Sequence, residues 1–279
     1  MKEEETRKVV REGYARIAKQ SGTCCAPTSS CCGSPGLEQD ISRNIGYTNE
    51  ELESVPEGSN LGLGCGNPVA LASLREGDVV IDLGSGAGFD CFLAAHKVGE
   101  QGRVIGVDMT PEMIEKARYN AKKNGYDNVE FRLGEIENLP VADNLADVLL
   151  SNCVINLVPD KARAFSEAFR VLKPGGRLAI SDIVLLKELP DFIKNSVEAY
   201  VGCLAGAIMR DAYIGAVKDA GFQDVRIIDE TTFPVEFMIN DPAAVVIMEG
   251  PDVSPEELRE VAGLVMSVKV HGIKPNHAV

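Results

Sequence analysis

The chain contains no tryptophan, only three histidines, and few aromatic residues, which make up 5% of its 279 positions. Proteins that stack on bases need aromatic side chains, and proteins that grip a phosphate backbone need a basic surface. Here the formal net charge is −14 at pH 7. The composition therefore predicts a protein that does not bind nucleic acid, and we expect a small-molecule substrate.

Long hydrophobic runs are also missing. No apolar stretch approaches the roughly 18 residues that cross a membrane as a helix. The N-terminal sequence, MKEEETRKVVREGYARIAKQ, is charged from its start and lacks the apolar core of a secretory signal. Hydrophobic residues form 45% and charged residues 25% of the chain, which is typical of a globular protein. We expect a cytoplasmic protein with no membrane anchor.

The most informative motif is VVIDLGSGAGF, residues 79–89. Its apolar start predicts a buried strand that ends at Asp82, and three alternating glycines separate this strand from a segment of helical composition. Glycines in this position let the backbone turn sharply and approach a ligand closely. A second predicted strand ends at Asp108, where an acidic side chain can hold ribose hydroxyls. The motif therefore predicts a nucleoside site at one edge of a sheet.

The glycine spacing distinguishes two kinds of nucleoside cofactor. A dinucleotide fingerprint reads GxGxxG, but Phe89 stands where its third glycine belongs. An acidic residue two positions before the first glycine, as in DLGSG at 82–86, resembles the class I S-adenosylmethionine methyltransferases. This resemblance implies S-adenosylmethionine, and not NAD, as the cofactor.

Predicted strands and helices alternate through the middle of the chain. Such alternation indicates an α/β fold with a doubly wound, mostly parallel sheet, as in Rossmann-like class I methyltransferases. The signal KPGG at 173–176 predicts a stop and turn before the last strand of this series. The predicted strands are 78–83, 103–107, 129–133, 147–151 and 177–184, and the predicted helices are about 88–98, 111–124 and 159–172.

The flanking segments predict further elements. Residues 3–19 predict a helix, and a loop rich in cysteine, glycine and proline follows it. A capping box at Thr48 begins a short helix that Pro56 ends, and Asn67 with Pro68 begins another. Beyond the core we expect a helix-rich stretch at 190–220, strands near 224–233 and 243–249, and a last helix from Ser254 to about residue 270.

The predicted elements divide the chain into three parts. Residues 1–45 form an N-terminal helix and cysteine-rich loop, and residues 46–186 form the methyltransferase core that binds S-adenosylmethionine. Residues 187–279 form a smaller C-terminal α+β extension, which completes the sheet and adds a helical substrate-binding part. We expect residues 1–33 to tune substrate capture and to lie outside the catalytic core.

Eight cysteines are distributed unevenly, and in a cytosolic protein such residues are more often metal-binding or catalytic than disulfide-bonded. Zinc favours CxxC spacing and often a histidine, whereas the N-terminal cysteines form adjacent pairs. A solvated reactive loop and a metal-capture loop both remain open for these pairs. We expect Cys91, inside a predicted helix, to be a packed and inert thiol. The pairs are Cys24, Cys25, Cys31 and Cys32, and the other single cysteines are Cys65, Cys153 and Cys203.

Two of the single cysteines have positions that suggest chemistry. Cys153 directly follows a predicted strand, so it lies at the carboxyl edge of the sheet, where doubly wound folds bind ligands. Cys65 precedes a predicted helix N-terminus, whose dipole favours a thiolate. Thiolates are soft ligands and select soft centres. Both residues are therefore candidates for binding a soft substrate.

Five segments together resemble the arsenite S-adenosylmethionine methyltransferases, which methylate trivalent arsenic held by cysteine thiolates. The segments are NLGLGCGNP, DLGSGAGFD, VIGVDMT, SNCVINLVPDK and RVLKPGG, and they are spread over most of the range 45–185. The resemblance implies that Cys65, Cys153 and Cys203 bind arsenic beside the methyl donor. It also implies an accessory role for one of Cys24, Cys25, Cys31 and Cys32, and a thiol reductant of the thioredoxin or glutathione type as partner.

The same resemblance assigns the cofactor residues. Asp108 is expected to hold the ribose diol, and Asn152 to face the methionine end. Met109 is expected to pack on the adenine, and Ile136 and Glu137 to meet the adenine edge. The residues expected to line the methionine and ribose part are Asp82, Gly84, Ser85 and Gly86.

The arsenic lone pair is the nucleophile in this interpretation, so no general base is required and proximity supplies the catalysis. Two other functions remain open. One is a methyltransferase for an organic metabolite, in which the cysteines only pack. The other is a non-catalytic thiol protein that sequesters soft metals on the same scaffold.

Overall fold

A computed structural model describes residues 3–20, 37–194, 196–232 and 263–276. The four N-terminal cysteines of the adjacent pairs lie outside these residues, as does the strand predicted near 243–249. No helix among the described segments is both long and apolar enough to cross a membrane.

Seven strands form one sheet in the described chain. They are β1 (Val79–Leu83), β2 (Arg103–Asp108), β3 (Val129–Leu133), β4 (Ala146–Asn152), β5 (Leu172–Leu185), β6 (Gln223–Thr232) and β7 (Val265–Ile273). Their order across the sheet is β3-β2-β1-β4-β5-β7-β6. The first five strands are parallel, and β7 runs antiparallel to both β5 and β6. The predicted doubly wound, mostly parallel fold is confirmed.

Helices connect and cover the strands. They are α1 (Glu3–Gln20), α2 (Leu37–Asn44), α3 (Asn49–Ser54), α4 (Pro68–Leu71), α5 (Phe89–Val98), α6 (Pro111–Asn124), α7 (Lys161–Val171), α8 (Asp191–Lys194), α9 (Val197–Val201) and α10 (Arg210–Asp219). A 3-10 turn covers Ile155–Leu157. The caps are as predicted: Thr48 forms a capping box with Glu51, and the Asn67 side chain accepts a hydrogen bond from the Ala70 amide. Helix α2 has no counterpart among the predicted helices.

The core lies on both faces of the sheet. Successive side chains of a strand point to opposite faces, so Val80 packs in one apolar cluster while Ile81 and Leu83 pack in the other. All three side chains are fully buried. Burial on both faces accounts for the uninterrupted apolar runs of the parallel strands.

The helix predicted from Ser254 to about residue 270 is wrong over its described end, because Val265–Ile273 is strand β7. This strand pairs with β5 and β6 on its two sides. Its buried Val265, Val268 and Val270 are β-branched, a side-chain type that favours strands over helices. Pairing with two long strands determines the conformation here, and the upstream capping signal does not.

The helix end predicted at KPGG is confirmed, since α7 ends at Val171, but the turn predicted before the fifth strand is wrong. Strand β5 begins directly after α7, and Leu172 already pairs with Ala146. The pairing register with β4 then shifts between Ala146 and Val148. Gly175, with a φ of 79°, allows the strand to absorb the irregularity without ending.

We predict that Val268→Ala lowers the free energy of unfolding by roughly 2–3 kcal/mol, because it leaves a cavity in a fully buried part of the sheet. Val197→Ala is the matched control: Val197 is 39% exposed and its loss should cost less than about 0.5 kcal/mol. Urea unfolding measures both. Equal effects would contradict the position of β7 between β5 and β6.

Candidate active site

A cleft opens along the carboxyl ends of β1, β2 and β4, where a doubly wound fold binds its ligands. It has about 1350 Å³ of empty space, including the part open to solvent. The sequence-predicted cofactor residues all line this cleft, as do two of the three cysteines, Cys153 and Cys203. The cleft therefore combines the glycine motif with thiols.

The glycine loop after β1 is fastened to the next strand. The amides of Gly84 and Ser85 donate to the carbonyl oxygen of Val107, at 2.7 and 3.1 Å. Gly86 has a φ of 52°, and a Cβ built on it would meet no atom within 4 Å. A side chain at this position would therefore project into open space beside the cleft, which the glycine leaves free for a ligand.

Two carboxylates flank this loop. Asp108, at the end of β2, accepts hydrogen bonds from the amides of Gly86 and Thr110, at 3.0 and 2.8 Å. Burial raises the pKa of Asp108. Asp82 is buried, accepts a hydrogen bond from the Cys91 thiol at 3.2 Å, and has a pKa well above its usual range because of burial and the nearby charge of Asp90. Neither carboxylate has a salt-bridge partner among the described residues, so both suit a ligand that carries hydroxyls or positive charge.

Asp90, Tyr47 and Asn152 form a buried polar network under the cleft. The Tyr47 hydroxyl donates to Asp90 Oδ1 at 2.6 Å, and Asn152 Nδ2 lies 3.1 Å from Asp90 Oδ2. Burial raises the pKa of Asp90 to about 6. Sequence reasoning missed Tyr47 and Asp90. Asp90 ends the motif DLGSGAGFD and could have been found there, whereas no local signal marks Tyr47.

The same asparagine holds the loop that carries Cys65. Asn152 Oδ1 accepts a hydrogen bond from the Cys65 amide at 3.0 Å, and Nδ2 lies 2.8 Å from the Gly66 carbonyl oxygen. On the other side, Ser267 of β7 donates to the Cys65 carbonyl oxygen at 2.7 Å. Gly64 is required for this approach, since a Cβ there would lie 2.8 Å from the Asn152 amide. The loop is thus fixed between β4 and β7.

The structure brings the thiols of Cys65 and Cys153 together. Their Sγ atoms and a carboxylate oxygen of Asp182 all lie within 4.8 Å of one another. Cys203 Sγ lies 2.8 Å from the Cys153 carbonyl oxygen, so the third predicted cysteine adjoins the same position. All three cysteines are buried. Sequence reasoning missed Asp182, which lies on β5, one strand away from Cys153.

Cys153 and Cys203 both have left-handed backbones, with φ of 57° and 63°. This region is unusual for residues other than glycine and costs on the order of 1–3 kcal/mol when strained. Strained positions of this kind cluster at functional sites. Both unusual conformations fall on cysteines that line the cleft.

The expectation that the helix dipole favours a thiolate at Cys65 is wrong. Burial raises the pKa of Cys65 above its usual value, and α4, with four residues, is too short to offset it. For Cys153, contact with Cys203 lowers the pKa, but contact with Cys65 and burial raise it further, well above the usual range. Both residues are therefore protonated thiols at neutral pH. Cys91 is packed in α5 as predicted and is fully buried.

Helix α1 forms one wall of the cleft, so its expected place outside the catalytic core is wrong. Arg7, Val10, Tyr14 and Ile17 line the cleft. The Tyr14 hydroxyl lies 3.4 Å from the Val201 carbonyl oxygen and 3.9 Å from Cys203 Sγ. Val10, Tyr14 and Ile17 are spaced by four and three residues, so they share the face of the helix that covers the cleft.

The predicted adenine residues lie along the wall near α1. Met109 and Ile136 line the cleft and pack within apolar clusters. Glu137 also lines it, but its carboxylate is held by Arg7 in two hydrogen bonds of 2.8 and 3.1 Å. Arg7 is a further residue that sequence reasoning missed, because nothing local relates it to a position 130 residues away.

Comparisons with known proteins agree with this geometry. A family model described as a methyltransferase domain matches residues 74–232. The sheet order and the glycine-acid cleft define the same class, the class I S-adenosylmethionine methyltransferases. Among solved structures, the arsenic(III) S-adenosylmethionine methyltransferase of Chlamydomonas reinhardtii has a TM-score of 0.61 and 34% identity, over 84% of this chain and 73% of that one.

Curated relatives identify one family within this class of methyltransferases. The arsenite methyltransferase of Halobacterium salinarum is 51% identical over 82% of this chain and 61% of its own length. The human arsenite methyltransferase is 33% identical over 85% of this chain and 63% of its own length. The chain belongs to the arsenite methyltransferase family. It spans about three-fifths of the length of these curated relatives.

We predict that Gly86→Val weakens S-adenosylmethionine binding by at least about tenfold, or roughly 1.4 kcal/mol, because its side chain fills space that the ligand needs. Gly125→Val is the matched control: Gly125 also has a positive φ, of 71°, and also faces open space, but it caps α6 away from the cleft. Calorimetric titration measures binding, and circular dichroism checks folding. Unimpaired binding in folded Gly86→Val would place the cofactor elsewhere.

We also predict that Asp108→Ala weakens S-adenosylmethionine binding by about 1.5–3 kcal/mol, the loss typical of hydrogen bonds to a charged group. Asp127→Ala, at an exposed aspartate before β3, should leave the affinity unchanged. The same titration with NAD should show no binding by the parent protein. Comparable affinity for NAD would contradict the assignment of the cleft.

Proposed function

We propose that this chain transfers a methyl group from S-adenosylmethionine to trivalent arsenic, as arsenite and then as methylated arsenicals, in arsenic detoxification. One observation carries the proposal. Two buried thiols, Cys65 and Cys153, lie within 4.8 Å of each other at the end of β4, and Cys153 lines the cleft that contains the glycine loop. A soft substrate on these thiols would face the cofactor directly.

The residues of the cleft suit the cofactor in distinct ways. Bound S-adenosylmethionine supplies an electrophilic methyl group on a sulfonium sulfur. Gly86 leaves room for the ligand beside the loop, and Asp108 offers carboxylate oxygens to the ribose diol. Asp82 and Asp90 are buried acidic side chains that line the cleft, and they would face the methionine end, where the ligand carries positive charge. Met109 and Ile136 provide apolar surface for the adenine.

Protonated thiols suit arsenite. When a thiol condenses with arsenous acid, an arsenic–sulfur bond forms, an arsenic–oxygen bond breaks, and the thiol proton leaves in a water molecule. Raised pKa values at Cys65 and Cys153 therefore do not oppose binding. Sulfur is the ligand that soft centres prefer. Cys203, against the Cys153 carbonyl, is the proposed third ligand.

No general base is required in this mechanism. Arsenic bound through sulfur keeps its lone pair, which is the nucleophile for an in-line displacement. The protein's contribution is to hold the two reactants in position, which can supply roughly 7–11 kcal/mol of a barrier. The Asn152 contacts that fix the Cys65 loop beside the cleft serve this purpose.

Methyl transfer leaves arsenic oxidised relative to its starting state, so thiols must reduce it before another turn. We propose a reductant of the thioredoxin or glutathione type as partner, and a cytoplasmic location, where such thiols are kept reduced. One of Cys24, Cys25, Cys31 and Cys32, which lie outside the described residues, is proposed to assist arsenic capture. The proposed parts are 1–45, 46–186 and 187–279, with α1 contributing to the cleft of the second part.

We predict that Cys153→Ser or Cys203→Ser eliminates methylation of both arsenite and its monomethyl product, because two thiols are needed even after one methyl is attached. Cys65→Ser should impair arsenite more than the monomethyl species. Cys91→Ser is the control for loss of a buried thiol that donates to Asp82 and not to the cysteine cluster, and S-adenosylmethionine titration shows whether its cofactor site is intact. The assay contains a labelled methyl donor, the arsenical and a dithiol. Chromatography then separates the arsenic species and measures how much of each has been methylated.

The same assay decides between the proposal and the two other functions. Normal turnover in all three single variants would refute the arsenic site and favour an organic-metabolite methyltransferase. Tight arsenite binding without methyl transfer would favour a thiol protein that sequesters soft metals. X-ray absorption of arsenite-loaded protein should show sulfur-only coordination.

A further inference from the structure

Three potential ligand atoms of different chemistry converge beside the cleft. The Sγ atoms of Cys65 and Cys153 and a carboxylate oxygen of Asp182 all lie within 4.8 Å of one another. They come from the loop before α4, from the end of β4, and from β5. All three residues are buried, so their arrangement is fixed by packing. The arsenic proposal uses the two sulfurs and leaves the carboxylate without a role.

The carboxylate of Asp182 is held firmly. Oδ1 accepts hydrogen bonds from Asn156 Nδ2 at 2.8 Å and from the Ile183 amide at 2.9 Å. Oδ2 accepts one from the Tyr213 hydroxyl at 3.0 Å. Outer hydrogen bonds of this kind orient the carboxylates that ligate metals. Asp182 has no salt-bridge partner among the described residues, although the charge of Lys161 acts on it.

Two thiolates and a carboxylate are all ligand types that zinc accepts. Catalytic zinc sites have three protein ligands and leave the fourth tetrahedral position to water or substrate. At typical bond lengths, tetrahedral ligand atoms are roughly 3.5–3.8 Å apart, so this cluster needs only a small contraction. Magnesium and calcium prefer oxygen ligands alone, and the two sulfurs disfavour them. The donor set therefore selects a divalent cation of intermediate softness.

We propose that Cys65, Cys153 and Asp182 form a binding site for zinc or a similar divalent cation. The cation replaces the two thiol protons, which leave to solvent, and forms two bonds to sulfur and one to oxygen. The three ligands then carry one negative charge in excess of the cation, which Lys161 partly offsets. Because both sulfurs are shared, the cation competes with arsenic. The competition rests on the proposed function, whereas cation binding itself does not.

Removal of the Asp182 carboxylate should distinguish cation binding from arsenic binding. Trivalent arsenic takes sulfur ligands, so loss of the carboxylate should leave its binding to the thiols intact. A zinc-like cation loses one of three ligands. Asp182→Asn, which keeps the size of the side chain, is therefore expected to weaken cation binding by more than about tenfold, the lower end of the loss seen when only a ligand's hydrogen-bond partner is removed. It should not weaken arsenite binding.

The experiment uses cobalt(II) as the probe, because tetrahedral thiolate coordination gives it intense visible absorption. The full chain carries Cys24, Cys25, Cys31 and Cys32 as serine, so that the N-terminal pairs do not contribute. We expect one cobalt ion per chain with sulfur-to-metal absorption. This absorption should disappear in Cys65→Ser and Cys153→Ser, weaken in Asp182→Asn, and persist in the control Cys91→Ser. Thermal melting and S-adenosylmethionine titration show that each variant is folded.

Two results would overturn the site: no thiolate absorption in the parent protein, or an unchanged cobalt affinity in folded Asp182→Asn. Zinc should displace the cobalt stoichiometrically, and arsenite should displace it in parent protein. If cobalt binds as expected but arsenite neither displaces it nor becomes methylated, the cation site stands and the proposed function fails. Arsenite turnover without any cobalt binding would refute the cation site and leave the proposed function standing.

Discussion

The side chain of Asn152 is the contact on which the rest of the site depends. It stands at the end of β4, where its amide oxygen accepts from the Cys65 amide and its nitrogen lies within hydrogen-bond distance of Gly66, Tyr47 and Asp90. One amide thus joins the thiol loop, the cofactor-side carboxylate and the central strand. An unpaired buried amide is costly, so these partners stabilise a single arrangement of the loop.

At Cys153 and Cys203, strained backbone conformations likewise indicate that the surrounding structure holds a single arrangement. Cys153 leaves β4 with a left-handed backbone while its amide still donates to the Ser181 carbonyl oxygen at 2.8 Å. The strand therefore continues its ladder with β5 for one residue while the side chain faces the cleft. Cys203 repeats the conformation after α9, and its sulfur reaches the Cys153 carbonyl oxygen. The surrounding sheet and helices hold both residues in left-handed conformations, which the same residues in a flexible loop would not keep.

The sequence patterns predicted those features of the structure that depend on neighbouring residues alone. The glycine motif, the caps at Thr48 and Asn67, and the parallel strands follow from spacing and residue type, and the structure confirms them. Strand β7 was beyond this reasoning because two distant strands determine its conformation. Asp182 and Arg7 were missed for a related reason. Each acts through partners far away in sequence, which no periodicity reveals.

Burial raises the pKa of both the thiols and the carboxyl groups of this site. Desolvation disfavours a charged group, and it raises the pKa of Cys65, of Asp90 to about 6 and of Asp182 to about 7. A thiol that attacks as a nucleophile needs the opposite, a lowered pKa in a positive environment. Condensation with arsenous acid consumes a neutral thiol and releases water, so a buried, protonated pair is suited to it. A buried pair of protonated thiols therefore fits the proposed capture of a neutral, soft substrate beside the methyl donor, and any cation that binds there must first displace the thiol protons.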